Sequence, residues 1–156
     1  MNKKLILALG LTAMASAALA GPIEDQIRFR QSAYSFSAWN LGKIKAQVVD
    51  KPDTYNKEQV LAAAKALAAI ADSGLATQLY GPGTDQGTGW QKTRLKPEYF
   101  EKKEKAEEVQ QAFIKETAEL AKVAEAGDVG AIKAQFAKVS GTCKSCHDAF
   151  RLKDVE

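Results

Sequence analysis

Apolar side chains recur at intervals of three, four and seven along four stretches of the chain, and no convincing strand pattern separates them. This spacing places the apolar side chains of each stretch on one face of an α-helix. The predicted helices cover residues 23–49, about 57–75, 97–126 and 129 to beyond 147. Two short connections flank a longer central one, which predicts an all-α fold, an antiparallel up-down-up-down four-helix bundle.

Residues that favour helix ends stand at the predicted boundaries. Asn56, followed three residues later by Gln59, has the pattern of a capping box at the start of the second helix. Pro97 suits the first turn of the third helix, and Gly127 suits the position just after its end. Asp128 is the predicted N-cap of the fourth helix.

The first predicted helix is apolar on two sides. Its inward face includes Ile27 and Tyr34, whereas Phe29, Phe36 and Trp39 form a second apolar flank beside it. Such a helix could bury one face in the bundle and offer the other to a partner subunit.

A glycine-rich segment joins the second and third helices. It opens with Tyr80-Gly81-Pro82-Gly83-Thr84 and continues to about residue 96. A loop of this length inside a compact domain is usually functional. We expect Tyr80 to pack rather than to take part in chemistry.

The first twenty residues have the pattern of a secretory signal peptide. Lys3 and Lys4 precede an apolar stretch, and Ala18-Leu19-Ala20 is a small-x-small cleavage site before Gly21. The alternative is an uncleaved anchor, but the apolar stretch is short compared with the roughly 20 residues that a membrane span needs. We therefore predict a signal peptide at 1–20 and a single domain at 21–156, in a protein that has no membrane association.

Removal of the two leader lysines would leave a net charge of +1 with histidine neutral. A chain so close to neutrality has no excess of positive charge for a polyphosphate, so no nucleic-acid partner is predicted.

The strongest chemical signal is the run Cys143-Lys144-Ser145-Cys146-His147. A Cys-x-x-Cys-His run is the pattern for covalent attachment of a c-type haem through two thioethers, with the adjacent histidine as an iron ligand. A disulfide or a redox-active dithiol is the alternative, although a redox dithiol is expected between a strand and a helix. A zinc site would need more ligands than two cysteines and one histidine.

These three residues lie at i, i+3 and i+4, so they share one face of the fourth helix and continue its buried stripe of Ile132, Phe136 and Val139. A second ligand for the iron is harder to find. His147 is the only histidine, and both methionines, Met1 and Met14, lie in the predicted signal peptide. The sequence therefore predicts an iron whose sixth position is vacant.

The chain resembles the cytochrome c′ family, the class II c-type cytochromes of bacterial periplasms. Similar segments occur along nearly the whole predicted mature chain, and they end with the haem motif near the C-terminus. They are Arg30-Gln31-Ser32-Ala33, Tyr80-Gly81-Pro82-Gly83-Thr84, Thr93-Arg94-Leu95-Lys96-Pro97-Glu98, Ala126-Gly127-Asp128 and Cys143-Lys144-Ser145-Cys146-His147-Asp148-Ala149-Phe150-Arg151. The resemblance implies a four-helix bundle with one haem c, a periplasmic location and a homodimer.

The resemblance also implies roles for individual residues. Arg30 and Gln31 match positions that contact a haem propionate, and Arg151 matches a cation near the proximal histidine. Tyr34 matches the position over the vacant side of the iron, and Thr93 matches a loop position at the haem edge.

Each role has a structural alternative. Arg30 and Gln31 could be a solvated turn of helix, although a charge at Arg30 on the apolar stripe needs a partner. Tyr34 could be ordinary core, and Arg151 could only complement the dipole of the last helical turn.

Two functions remain open from the sequence. A five-coordinate, high-spin iron favours binding of the small gases NO and CO, and the family is associated with both. The second function is electron transfer between periplasmic redox partners, which a sixth ligand would have favoured. Peroxidase or nitrite chemistry would need an acid–base residue such as a second histidine, so we do not expect an enzyme.

We expect the haem to be held by covalent bonds. Extraction of the purified protein with acid acetone should leave the haem on the polypeptide, and Cys143→Ser or Cys146→Ser should leave it loosely held. Complete removal of the haem from the wild-type protein would contradict this prediction. A disulfide would instead give a mass two hydrogens below that of the reduced chain and no haem absorbance.

Overall fold

The computed structural model describes residues 22–153. The predicted signal peptide and its cleavage site before Gly21 lie outside the described residues. Six α-helices follow in chain order: α1 (Ile23–Lys45), α2 (Lys57–Ala71), α3 (Leu75–Gln78), α4 (Glu98–Glu101), α5 (Lys103–Ala126) and α6 (Val129–Phe150). A π-helical turn, Ala46–Asp50, extends α1, and a 3₁₀ turn, Pro52–Thr54, follows it.

The four long helices pack in a ring, in which α1 contacts α2, α2 contacts α5, α5 contacts α6, and α6 contacts α1. Lys57, at the start of α2, donates a hydrogen bond to the Ala126 carbonyl at the end of α5, at 3.4 Å. These two helices therefore run in opposite directions. The predicted antiparallel four-helix bundle is confirmed.

The predicted N-caps form, but the backbone N–H of Asn56 donates to Gln47 at 2.8 Å and not to Gln59, so the reciprocal bond of the predicted capping box is replaced. The Asn56 carboxamide oxygen accepts a hydrogen bond from the backbone N–H of Gln59 at 3.0 Å, and the Asp128 carboxylate accepts one from Ala131 at 2.8 Å. Gly127, between α5 and α6, has a φ of 88°, a left-handed conformation that suits glycine. Each side-chain cap contributes about 1 kcal/mol to stability, so local sequence fixes where α2 and α6 begin.

Two helix boundaries differ from the prediction. The second helix ends at Ala71, because Gly74 adopts a left-handed conformation with a φ of 78°, and Leu75 begins the separate α3. The predicted third helix is two helices, since Lys102 has a φ of −100° and a ψ of 59° and interrupts the helical path between α4 and α5. The interruption separates Tyr99 from α5.

The interior contains two apolar clusters. The larger lies between the long helices, and its fully buried members include Ile44, Leu67, Leu120 and Ile132. The smaller lies where α4 meets the end of α6, around Tyr99 and Phe150. Space remains between the two clusters, and the candidate site occupies it.

One buried side chain of α1 holds the long loop. Arg30, which is 6% exposed, donates hydrogen bonds to the Leu79 and Thr84 carbonyls at 2.9 and 2.8 Å. It also donates to the hydroxyls of Thr84 and Thr93 at 3.0 and 2.9 Å. The expectation of a solvated turn at Arg30 is wrong, because its guanidinium fork joins both ends of the loop to α1.

Gln31, the next residue, attaches the tip of the same loop. Its carboxamide oxygen accepts hydrogen bonds from the N–H groups of Trp90 and Gln91 at 2.7 and 3.1 Å, and its amide donates to the Gln91 carbonyl at 2.8 Å. Gly89 lies against α1 so closely that a Cβ there would be 2.6 Å from the backbone nitrogen of Arg28. A side chain at residue 89 would therefore displace the loop.

Among residues 22–153, no helix combines the length and apolar character required to cross a bilayer.

We predict that Arg30→Lys lowers the free energy of unfolding by about 1.5–3 kcal/mol, the usual contribution of hydrogen bonds to a charged group. A lysine ammonium is a point charge and cannot reproduce the fork that reaches both ends of the loop. Urea denaturation of the haem-loaded protein measures the difference.

Arg28→Lys is the matched control. Arg28 is 39% exposed and forms its ion pair with Asp25, so its replacement should change stability by less than about 0.5 kcal/mol. Equal effects of the two substitutions would show that Arg30 has no special structural role.

Candidate functional site

A large cavity lies between the helices on the side where the long loop crosses α1. Its volume is ≈ 1070 Å³, at the upper end of the range of about 300–1,000 Å³ for small-molecule sites. All eight residues predicted to bind the cofactor line this one cavity: Arg30, Gln31, Tyr34, Thr93, Cys143, Cys146, His147 and Arg151. They come from α1, the loop, α6 and the residue that follows α6, so only the folded bundle brings them together.

The α6 wall carries the attachment motif. The helix is unbroken from Val129 to Phe150, so Cys143, Cys146 and His147 face the cavity together. Val139 precedes them by one turn at 0% exposure, and Phe150 follows at 2%. These buried anchors fix the rotation of α6, and with it the direction in which the motif points.

Burial sets the protonation states of this wall. It raises the pKa of the Cys146 thiol to about 11, with a smaller contribution from Cys143, and it raises the pKa of Cys143 as well. A redox-active dithiol needs a lowered thiol pKa, so the geometry does not favour that alternative. Burial, together with the charge of Arg94, lowers the pKa of His147 and favours the neutral imidazole, the form that binds a metal.

Tyr34 stands on the α1 wall of the same cavity. Its phenol oxygen accepts hydrogen bonds from the Tyr80 hydroxyl at 3.1 Å and from the Gln110 amide at 3.5 Å. Burial raises the pKa of Tyr34, so the phenol stays protonated at neutral pH. The cavity therefore presents a neutral phenol at this position and not a phenolate ligand.

The cavity has apolar sides and a cationic edge. Leu41, Leu67 and Phe113 are among its apolar lining residues, and Lys92, Arg94 and Arg151 are among its cations. Arg30 adds a buried positive charge whose four hydrogen-bond acceptors are all uncharged oxygens. Thiols and an imidazole on one wall, apolar sides and cations at the edge fit a haem, whose ring is apolar and whose propionates are anionic.

Two predicted residues have structural roles that the sequence did not indicate. Thr93 is 5% exposed, and its hydroxyl accepts from Arg30 and donates to the Thr84 carbonyl at 3.0 Å. Gln31 is engaged with the loop tip. Both therefore brace the loop, while their contacts with a haem stay predictions.

Arg151 lies beyond the last turn of α6, in extended backbone whose N–H donates to the His147 carbonyl at 3.0 Å. A bridge to Leu95 attaches it to the loop. The alternative that placed Arg151 within the last helical turn is therefore wrong.

Sequence analysis missed two polar residues that contact Tyr34. Tyr80 was expected only to pack, yet it forms a hydrogen bond. Gln110 lies on the same α5 face as Ala106 and Phe113 and is 6% exposed. A polar residue on an apolar helical stripe was the available signal.

Known proteins resemble this chain over most of its length. The family model described as Cytochrome C′ matches residues 25–151. A cytochrome c′ from Rhodocyclus tenuis is 51% identical over 131 residues, which make up 84% of this chain and 96% of the relative.

Solved structures give the same result. A cytochrome c′ with an unusual ligand-controlled dimer dissociation superposes with a TM-score of 0.79 at 45% identity, and covers 85% of this chain and 98% of its own. Two structures from Alcaligenes xylosoxidans are variants in complex with nitric oxide and with carbon monoxide. They have TM-scores of 0.74 and 0.73 at 31% and 32% identity, and cover 86% and 85% of this chain and 98% of their own. With its bundle, its cavity and its attachment motif, the chain belongs to the cytochrome c′ family.

Proposed function

We propose that this chain is a periplasmic haem c protein that binds NO and CO at a five-coordinate, high-spin iron. The observation that carries the proposal is the lining of the cavity. Among its described lining residues His147 is the one histidine, none is a methionine, and Tyr34 presents a protonated phenol. When bound, the haem supplies an iron with one free coordination position for a diatomic gas.

The family binds haem c, and the residues that would hold it here can be named. Cys143 and Cys146 would form the two thioethers, and His147 would supply its neutral imidazole to the iron. Arg30, with its charge not neutralised by a hydrogen-bonded carboxylate, supports the proposal that a propionate lies at its end of the cavity.

The relatives support the choice of ligands. Variants of a cytochrome c′ at 31% and 32% identity form complexes with nitric oxide and carbon monoxide. In this chain, Tyr34 would exclude larger ligands by its bulk, because the ring must move before a molecule reaches the position it covers.

The sequence supports the proposed location and the absence of a proposed reaction. A cleaved signal peptide at 1–20 would carry the chain to the periplasm. Catalysis is not proposed, since His147 is the only histidine and no second one can act as an acid or base at the free position. Electron transfer to a periplasmic partner is a second candidate, because the same haem would serve it.

Absorption spectra of the ferric and ferrous protein, with and without NO and CO, together with EPR spectra of the ferric form, test the proposal. We expect high-spin spectra in both oxidation states and a new spectrum with each gas. A low-spin, six-coordinate ground state in both oxidation states would contradict it. That result would point to Lys92, the lysine among the described lining residues.

Tyr34→Ala should raise the association rate of CO substantially, because no ring then has to move aside. The same substitution should also lower the free energy of unfolding, and the cost of about 3–5 kcal/mol typical of a fully buried aromatic is the upper limit for this half-buried side chain. Flash photolysis measures the rate, and denaturation measures the stability. An unchanged association rate would show that Tyr34 is remote from the iron.

We also propose that the chain forms a homodimer through the second flank of α1. Phe36 and Trp39 are 50% and 58% exposed and stack on each other with their ring centroids 6.1 Å apart. The Lys43 ammonium lies 3.9 Å from the Trp39 centroid. Exposed aromatics grouped in this way are typical of subunit interfaces, and a relative at 45% identity has a dimer that dissociates under ligand control.

Trp39→Ser should weaken the dimer by at least about 30-fold, since a central aromatic typically contributes about 2 kcal/mol or more to an interface. Sedimentation velocity over a concentration series measures the dissociation constant. Leu152→Ser is the control, because Leu152 is 49% exposed but lies outside this flank. A wild-type protein that is monomeric at all concentrations would disprove the proposal.

A further inference from the structure

Tyr80 is held rigidly at the start of the long loop. Its ring stacks on Tyr99, with centroids 4.5 Å apart and planes inclined by 23°. The Arg30 guanidinium lies over the ring, 4.6 Å from the centroid. The next residue, Gly81, donates its N–H to Gln26 at 2.9 Å. The hydroxyl of Tyr80 is therefore a fixed point relative to α1.

The position of the Tyr34 ring depends on the Tyr80 hydroxyl. Its ring is otherwise bounded by Phe113, 6.4 Å away between centroids, and by the cavity itself. Within the described part of the chain, the hydrogen bonds at its hydroxyl are the two it accepts, from Tyr80 and Gln110. Since a phenol oxygen has two acceptor positions, both are used to hold the ring against the wall.

We propose that Tyr80 is a positioning residue for gas binding: its hydroxyl holds the Tyr34 ring in the position that blocks the cavity, and ligand entry requires their hydrogen bond to break. The inference rests on the proposed function, because it assumes that gas enters where Tyr34 stands. Gln110 contributes less, since its bond is 3.5 Å long and the Tyr80 bond is 3.1 Å.

The expected change in the CO association rate follows from the fraction of molecules in which the Tyr34 ring has moved aside. A ligand that binds only when the ring has moved associates at a rate proportional to the open fraction. The Tyr34–Tyr80 bond stabilises the closed position, so its loss raises that fraction. In the ligand-bound form the bond is already broken, so the dissociation rate does not change. A general loosening of the fold would change both rates.

The experiment is a double-mutant cycle on the haem-loaded protein, with Tyr34→Phe, Tyr80→Phe and the double variant. Each variant removes one hydroxyl and leaves both rings. Each single variant should raise the CO association rate about three- to tenfold, the range that corresponds to one hydrogen bond. The double variant should match Tyr34→Phe, because Tyr34→Phe already removes the bond from Tyr80 together with the weaker bond from Gln110, and Tyr80→Phe should give an equal or slightly smaller rise.

Tyr55→Phe is the matched control, since the Tyr55 hydroxyl donates to the Gly127 carbonyl at 3.4 Å at the junction of α5 and α6. It should leave the association rate unchanged. Urea unfolding of the same proteins gives a readout independent of CO, in which the two hydroxyl deletions should be non-additive. Ultraviolet resonance Raman spectra, through the tyrosine Fermi doublet, report the loss of the hydrogen bond itself.

The outcomes separate the two proposals. A wild-type ferrous protein that binds no CO overturns the proposed function and the inference with it. Normal CO binding with a wild-type association rate in Tyr80→Phe overturns the inference alone. Multiplicative effects of the two substitutions, or equal rises in association and dissociation rates, overturn it as well. If Tyr80→Phe yields no holoprotein, Tyr34→Phe alone decides, because it also removes the bond from Tyr80: an unchanged CO association rate, or an equal rise in the dissociation rate, overturns the inference.

Discussion

The hydrogen bonds of the buried Arg30 guanidinium are the interaction on which the rest of the site depends. A charged group inside a protein is tolerated only when its donors are satisfied, and here four oxygens from both ends of the loop satisfy them. The loop is thereby fixed against α1, Tyr80 is placed under the guanidinium, and the edge of the cavity becomes positive. Removal of this one group would release the loop and the charge together.

The sequence predicted the parts of the site that depend on periodicity and local chemistry. Helical spacing alone placed Cys143, Cys146 and His147 on one face, and capping chemistry located the starts of α2 and α6. The apolar stripe of α1 likewise showed that a charge at Arg30 needs a partner. Its loop acceptors could not be predicted, because they lie 49 to 63 residues away and their positions depend on the folded loop.

Two other features of the structure have no local signal in the sequence. The interruption at Lys102 contains neither glycine nor proline, and it separates the α4 turn, in which Tyr99 packs against Phe150, from α5. The contact between Tyr34 and Tyr80 joins residues 46 positions apart. Both features arise from tertiary packing. At Lys102 this packing overrides the continuous apolar pattern that predicts a single helix.

The raised thiol pKa values bear on how the protein matures. A thiolate is the reactive form of cysteine, and in the folded bundle Cys146 has a pKa of about 11, so little of it is ionised at neutral pH. In an unfolded chain the same thiol would ionise near its ordinary pKa and react more readily. By this chemistry alone, the folded bundle is a poorer substrate for thioether formation than the unfolded chain.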